Sequence, residues 1–124
     1  MARALLEKDF RLESAHSLPR VPASHKCARI HGHSFRITIR VEGDIDEATG
    51  WVVDYGDLAA AWQPLHEVLD HRYLNEVPGL ENPTSENLAR WILEHYRVPT
   101  DRARLVSVTV HETCQSRCTV LAES

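Results

Sequence analysis

The sequence predicts an α+β fold in which a largely antiparallel sheet carries helices on one face. Three observations predict it. Residues 31–42 alternate apolar and polar side chains, two stretches between residues 54 and 96 repeat apolar residues at helical spacing, and the strand-like segments are grouped at the two ends of the chain. With 124 residues the chain has the size of one domain, so 1–124 is read as a single unit able to bury a core without disulfides or a structural metal.

From Ala4 to His16, the residues Phe10, Leu12, Ser14 and His16 share a parity, the mark of a strand with a partly apolar face. In the second segment His31, His33, Phe35, Ile37, Ile39 and Val41 oppose Ser34, Arg36, Thr38, Arg40 and Glu42, one apolar face and one wet face. GDIDEATG (43–50) reads as a hairpin loop, and Trp51 to Asp54 as the returning strand. A helix capped by Asp54 or Asp57 should follow, because Leu58, Ala61, Trp62, Leu65 and Leu69 fall on one helical face. Pro64 lies inside it and should kink it or loosen one turn, since its carbonyl partner four residues back loses a donor. Thr84 or Ser85 caps a second helix with face Leu88, Trp91, Ile92 and Tyr96, ending before Pro99. Val106, Val108 and Val110 alternate with Ser107, Thr109 and His111 in a further strand, and Thr119 to Ala122 closes the sheet.

Composition narrows the function. A 43% hydrophobic and 26% charged chain is neither disordered nor of low complexity. Its net charge of −4, without blocks of like charge, argues against a nucleic-acid surface. No apolar run approaches the ~20 residues of a membrane span, and MARALLEKDF places acids where a signal peptide has its apolar core, so no membrane partner and a cytoplasmic location are expected. The three cysteines are then reduced thiols. Histidine is the unusual feature: the eight imidazoles equal Phe, Trp and Tyr combined. Their placement matters because histidine is the commonest metal ligand.

His31 and His33 lie two apart on one strand, so their β-carbons project from one face about 6 to 7 Å apart, within reach of one ion. His16 has the inward parity of its own strand, and a hairpin-like pairing would bring it beside them. Three neutral imidazoles leave a fourth position open for water or substrate, the arrangement of a catalytic zinc site. Two alternatives stand beside this. The histidines are core residues bonded to backbone carbonyls, or Cys27 supplies a fourth ligand and closes the site. Glu112 continues the parity of the Val106–Val110 face, and a carboxylate on an apolar face needs a dedicated partner. Cys114 and Cys118 are spaced Cys-x3-Cys, which is not zinc-knuckle spacing.

Together FRLESAH, HKCARIHGHSF, LDHRYLN, NPTSENLA and HETCQSRC closely resemble the 6-pyruvoyl-tetrahydropterin synthase family, in the right order over nearly the whole chain. The short Cys27-x3-His31-Gly-His33 spacing resembles the bacterial 6-carboxy branch of the queuosine pathway rather than the animal type. The resemblance implies the tunnelling fold, a four-stranded antiparallel sheet with two helices packed on one face, assembling into a barrel-like homohexamer with active sites at subunit interfaces. It implies a zinc-dependent lyase acting on a pterin triphosphate: 7,8-dihydroneopterin triphosphate becomes 6-carboxy-5,6,7,8-tetrahydropterin, acetaldehyde and triphosphate. By the same resemblance His16, His31 and His33 hold Zn2+, Cys27 is the general base, and His71 relays the proton with Asp70 orienting it. Glu112 holds the pterin, with Thr84 and Ser85 beside the ring. Simple strand or helix geometry does not let neighbours such as Asp70 and His71 form an ideal hydrogen bond, and a polar helix exit is the plain alternative for that pair. Thr84 and Ser85 serve equally as helix caps. Arg20, His25, Lys26 and Arg29 are available to a triphosphate, none ranked above another. The rival activities are triphosphate elimination without side-chain cleavage, a metal module closed by Cys27, and a pterin binder without catalysis.

Overall fold

The computed structural model describes residues 2–123. Strands β1 (Arg3–His16), β2 (His31–Asp44), β3 (Ala103–His111) and β4 (Arg117–Leu121) form one sheet in the order β1-β2-β3-β4. Every neighbouring pair is antiparallel. Helices α1 (Tyr55–Leu69) and α2 (Ser85–His95) lie between β2 and β3 in the chain, as the grouping of periodicities predicts.

The period-two faces are realised. Leu12, Phe35, Ile37, Ile39, Val108 and Val110 are buried against Leu58, Trp62, Leu65 and Leu69 of α1 and Leu88, Trp91 and Ile92 of α2. Each fully buried aliphatic side chain of this kind contributes on the order of 1.5–3 kcal/mol. The Tyr96 hydroxyl, just past α2, donates to the Leu58 carbonyl of α1 at 2.9 Å, joining the two helices beneath the core. Burial pushes its phenol well above the ordinary tyrosine range. The opposite face of the sheet is polar: Thr38 donates to Asp9 at 2.7 Å, and Arg36 donates to the same carboxylate at 3.0 Å.

Two expectations are corrected. Trp51–Asp54 is not a returning strand; the chain bends there and delivers Asp54 as the α1 N-cap, its carboxylate accepting from the Gly56 N–H at 2.9 Å. Val52 and Val53 are buried as a bridge into the helix, so their apolar character reports burial rather than pairing. Gly43 and Asp44 do not belong to a loop but extend β2, paired with Ala4 and Arg3; α1 runs from Tyr55 to Leu69 with Pro64 inside it.

The β1/β2 register positions the site. Leu12 opposes Phe35, Ser14 opposes His33 and His16 opposes His31, so the aliphatic layer continues at this end of the sheet as a layer of imidazoles.

Candidate metal centre and active site

His16 ends β1, while His31 and His33 begin β2. Pairing across the ladder puts the His16 ring centroid 4.6 Å from that of His31 and 5.1 Å from that of His33, with His31 and His33 4.9 Å apart. His16 is 1% exposed. One ligand atom from each of His16, His31, His33 and Glu112 lies within 4.8 Å of all the others.

Backbone carbonyls fix which nitrogens face inward. His16 Nδ1 stands 2.8 Å from the Pro83 carbonyl, and His31 Nδ1 stands 2.7 Å from the Arg29 carbonyl. A carbonyl only accepts, so both Nδ1 atoms carry the proton and both Nε2 atoms present lone pairs. Nε2 of His16 and of His33 are buried without a hydrogen-bond partner. Such orphaned atoms are costly unless something binds them, and inward lone pairs are what a borderline dication requires. Burial lowers the basicity of His16, with the Pro83 bond opposing it, and burial likewise lowers that of His33, with the Glu112 charge opposing it. Both effects of burial favour the neutral form that ligates. The donor set fits a divalent metal, and the carbonyl bonds that a core-histidine reading requires are the same ones that aim the other nitrogens at a common point.

Glu112 follows β3 directly and lies on the imidazole side. Its Oε1 is 3.4 Å from His16 Nε2 and 3.2 Å from His33 Nε2, and the Ser85 hydroxyl donates to its Oε2 at 2.9 Å. Ser85 holds one carboxylate oxygen, while the other stands beside the two unpartnered imidazole nitrogens. Ser85 thus belongs to the site. Thr84 is the α2 N-cap, its hydroxyl accepting from the Asn87 N–H at 3.1 Å.

Cys27 sits on a short turn (Lys26–Ala28) capped by His25, whose Nδ1 accepts the Cys27 N–H at 3.0 Å. The Leu18 N–H donates to the Cys27 carbonyl at 2.8 Å and ties the loop to the end of β1. Cys27 is half-buried and lines one pocket with Lys26, His31, His33 and Glu112. Of the basic loop residues only Lys26 joins that lining, while Arg20, His25 and Arg29 are exposed.

Asp70 and His71 do bond, contrary to the expectation from regular geometry: His71 Nδ1 donates to Asp70 Oδ2 at 2.6 Å. The reason is backbone. Asp70 ends α1, and His71 takes φ of 55°, a left-handed conformation outside helix and strand that folds its ring back onto its neighbour. The His71 N–H donates to the Glu13 carbonyl at 2.6 Å, holding that conformation against β1. Burial raises the Asp70 carboxyl, but hydrogen bonds from the Glu13 N–H and His71, with His66 beside it, outweigh this and leave it below the usual range. His71 opens onto a second pocket with Glu13, Ser34 and Tyr73; this pocket and that of Cys27 share only Gly32 and His33. The chain therefore brings Cys27, Ser85, Glu112 and the three imidazoles together and sets Asp70–His71 on the adjoining side.

The carbonyls of Pro83 and Arg29 were outside the reach of sequence reasoning, because any residue supplies a carbonyl. The Ser85–Glu112 bond is likewise invisible in the sequence, because nothing in the spacing of the two residues links them.

A four-stranded antiparallel sheet backed by two helices, with histidines at its end arranged to hold a metal, defines a tunnelling-fold protein with a candidate metal centre. The model of the family described as 6-pyruvoyl tetrahydropterin synthase matches residues 5–123, and the chain belongs to that family. It is 45% identical over 120 residues to a 6-carboxy-5,6,7,8-tetrahydropterin synthase of Synechocystis sp., covering 90% of this chain and 88% of that protein. It is 31% identical over 123 residues to the Bacillus subtilis protein of the same name, covering 91% and 82%. The Caenorhabditis elegans 6-pyruvoyl tetrahydropterin synthase structure superposes with a TM-score of 0.87 at 24% identity, over 99% of this chain and 98% of that one, which speaks to the fold. Among the described residues no helix is long and apolar enough to cross a membrane.

Proposed function

We propose that this chain is a zinc-dependent lyase that converts 7,8-dihydroneopterin triphosphate and water to 6-carboxy-5,6,7,8-tetrahydropterin, acetaldehyde and triphosphate, in the supply of queuosine precursors. The observation that carries the reading is the convergence of the His16, His31 and His33 imidazoles, two with their Nδ1 atoms bonded to carbonyls, beside a pocket that Cys27 lines together with His31 and His33. Identity to the Synechocystis synthase and the short Cys27–His31 spacing favour the 6-carboxy product over the 6-pyruvoyl one.

When bound by His16, His31 and His33, a dication supplies Lewis acidity to the side-chain oxygens of the substrate. Cys27, as thiolate, takes the proton from the hydroxyl-bearing carbon or its oxygen. Asp70 holds the His71 ring through Nδ1, leaving Nε2 to pass a proton in the second pocket. Because Cys27 and His71 line different pockets of one chain, the relay is assigned to neighbouring copies in a homohexamer, with the substrate between them. Glu112 receives the polar edge of the pterin, with Ser85 behind it and Thr84 fixing the helix start.

Metal-loaded protein incubated with dihydroneopterin triphosphate should release acetaldehyde. A pyruvoyl product without acetaldehyde would overturn the lyase assignment in favour of triphosphate elimination.

A further inference from the structure

The Asp70 carboxylate has a third neighbour. His66 stands one turn earlier on α1, with its Nε2 3.4 Å from Asp70 Oδ2, the oxygen that accepts from His71 Nδ1 at 2.6 Å. An exposed pair four residues apart on a helix is ordinarily a minor surface contact. Here two features make it more. The carboxylate cannot turn away, because Oδ1 accepts the Glu13 N–H at 2.9 Å and the Asp70 N–H closes the helix on the His66 carbonyl at 2.8 Å. The His66 ring is only one-third exposed and lies edge-on to Trp62, which itself stacks on Phe10 with centroids 5.0 Å apart. Two imidazoles therefore face one fixed carboxylate oxygen.

We propose that His66 is a positioning residue for the proton relay: it shares Asp70 Oδ2 with His71 and so sets how much of the carboxylate's charge His71 receives. The inference rests on the proposed role of His71. The charged and titratable groups around the pair are Asp70 and His66 on α1, Glu13 from β1, whose carboxylate accepts from Ser34, and Arg72, whose guanidinium donates to the Glu67 carbonyl. Oδ2 is hydrogen-bonded by His71, and His66 is the other titratable group beside it, at 3.4 Å. A positive charge on His66 beside Oδ2 competes with His71 for the same carboxylate oxygen.

The test is histidine side-chain NMR titration of the metal-loaded protein, wild type against His66→Leu and His66→Gln, with the pH profile of pterin turnover measured alongside. In His66→Leu the midpoint of the His71 imidazole moves up relative to wild type. His66→Gln, which keeps an N–H and loses the charge, gives a smaller rise. The limb of the turnover profile that reports His71 moves with the midpoint, at unchanged KM. An unchanged His71 midpoint in both folded variants overturns the proposal, as does a shifted midpoint with an unmoved turnover profile. If wild type turns over no pterin, the functional reading falls, and the NMR midpoint alone still decides whether His66 governs His71.

Discussion

His16 Nδ1 donates to the carbonyl of Pro83 across 2.8 Å, joining the end of β1 to the loop that starts α2. That bond turns the Nε2 of a 1% exposed imidazole toward His31 and His33 rather than toward the loop. It also links the metal position to α2, whose first residue, Ser85, holds Glu112.

Cys27 and the histidines should separate in their effects. His33→Ala lowers bound metal well below stoichiometric. Cys27→Ala retains full metal while turnover drops by about 10²–10⁴-fold, the range for loss of a general base. Metal analysis and acetaldehyde release on the same preparations check this. Loss of metal from Cys27→Ala would favour a closed structural site.

Thr84 and Ser85 are adjacent but differ in partner, so they should fail differently. Thr84→Ala removes the cap that receives the Asn87 N–H and lowers stability by about 1 kcal/mol with little change in turnover. Ser85→Ala leaves Glu112 Oε2 without its donor and lowers turnover with little change in stability. Urea unfolding and steady-state rates distinguish the two; identical behaviour of both variants contradicts the assignment.

Acid should weaken the metal-free protein early. His16 and His33 are less basic folded than unfolded, chiefly because burial disfavours their charged forms. Below the ordinary imidazole pKa of about 6.5 the unfolded chain then binds more protons than the folded one, so stability is full above that pH and declines as pH falls through it. Asp70 and Asp9, both below the usual carboxyl range, add a second loss at lower pH. Urea midpoints at pH 7.5 and pH 5.5 test the first window; an equal or higher midpoint at pH 5.5 contradicts it.

Gly43 should resist substitution. It pairs with Ala103 where β2 meets β3, and a β-carbon there would stand 2.6 Å from the Arg102 carbonyl oxygen and 2.9 Å from Val52 Cγ1. Gly43→Ala should destabilise by about 1–3 kcal/mol, as overpacking does. A thermal midpoint equal to wild type would show that the strands part freely at this point.

The legible features in the sequence were those carried by side-chain periodicity. Alternation along β2 placed His31 and His33 on the buried face, and the parity of Leu12 and His16 placed a third imidazole opposite them. The spacing of Leu58, Trp62, Leu65 and Leu69 marks α1, whereas a returning strand at Trp51–Asp54, expected from the turn residues before it, is a bend with Val52 and Val53 buried. Features decided by backbone conformation or carbonyls were not legible. No side-chain pattern announces that His71 adopts positive φ and turns onto Asp70, or that Pro83 and Arg29 present carbonyls to two of the ligands. His66 lay between: its position four residues before Asp70 was visible, but its significance needed the fixed carboxylate.

The measurement that bears most directly on the site is zinc K-edge X-ray absorption of the zinc-loaded protein before substrate is added. Three imidazole nitrogens at about 2.0–2.1 Å with a further light-atom ligand are expected, and no sulfur. A sulfur scatterer at about 2.3 Å would place Cys27 on the metal, close the fourth position and contradict the lyase account.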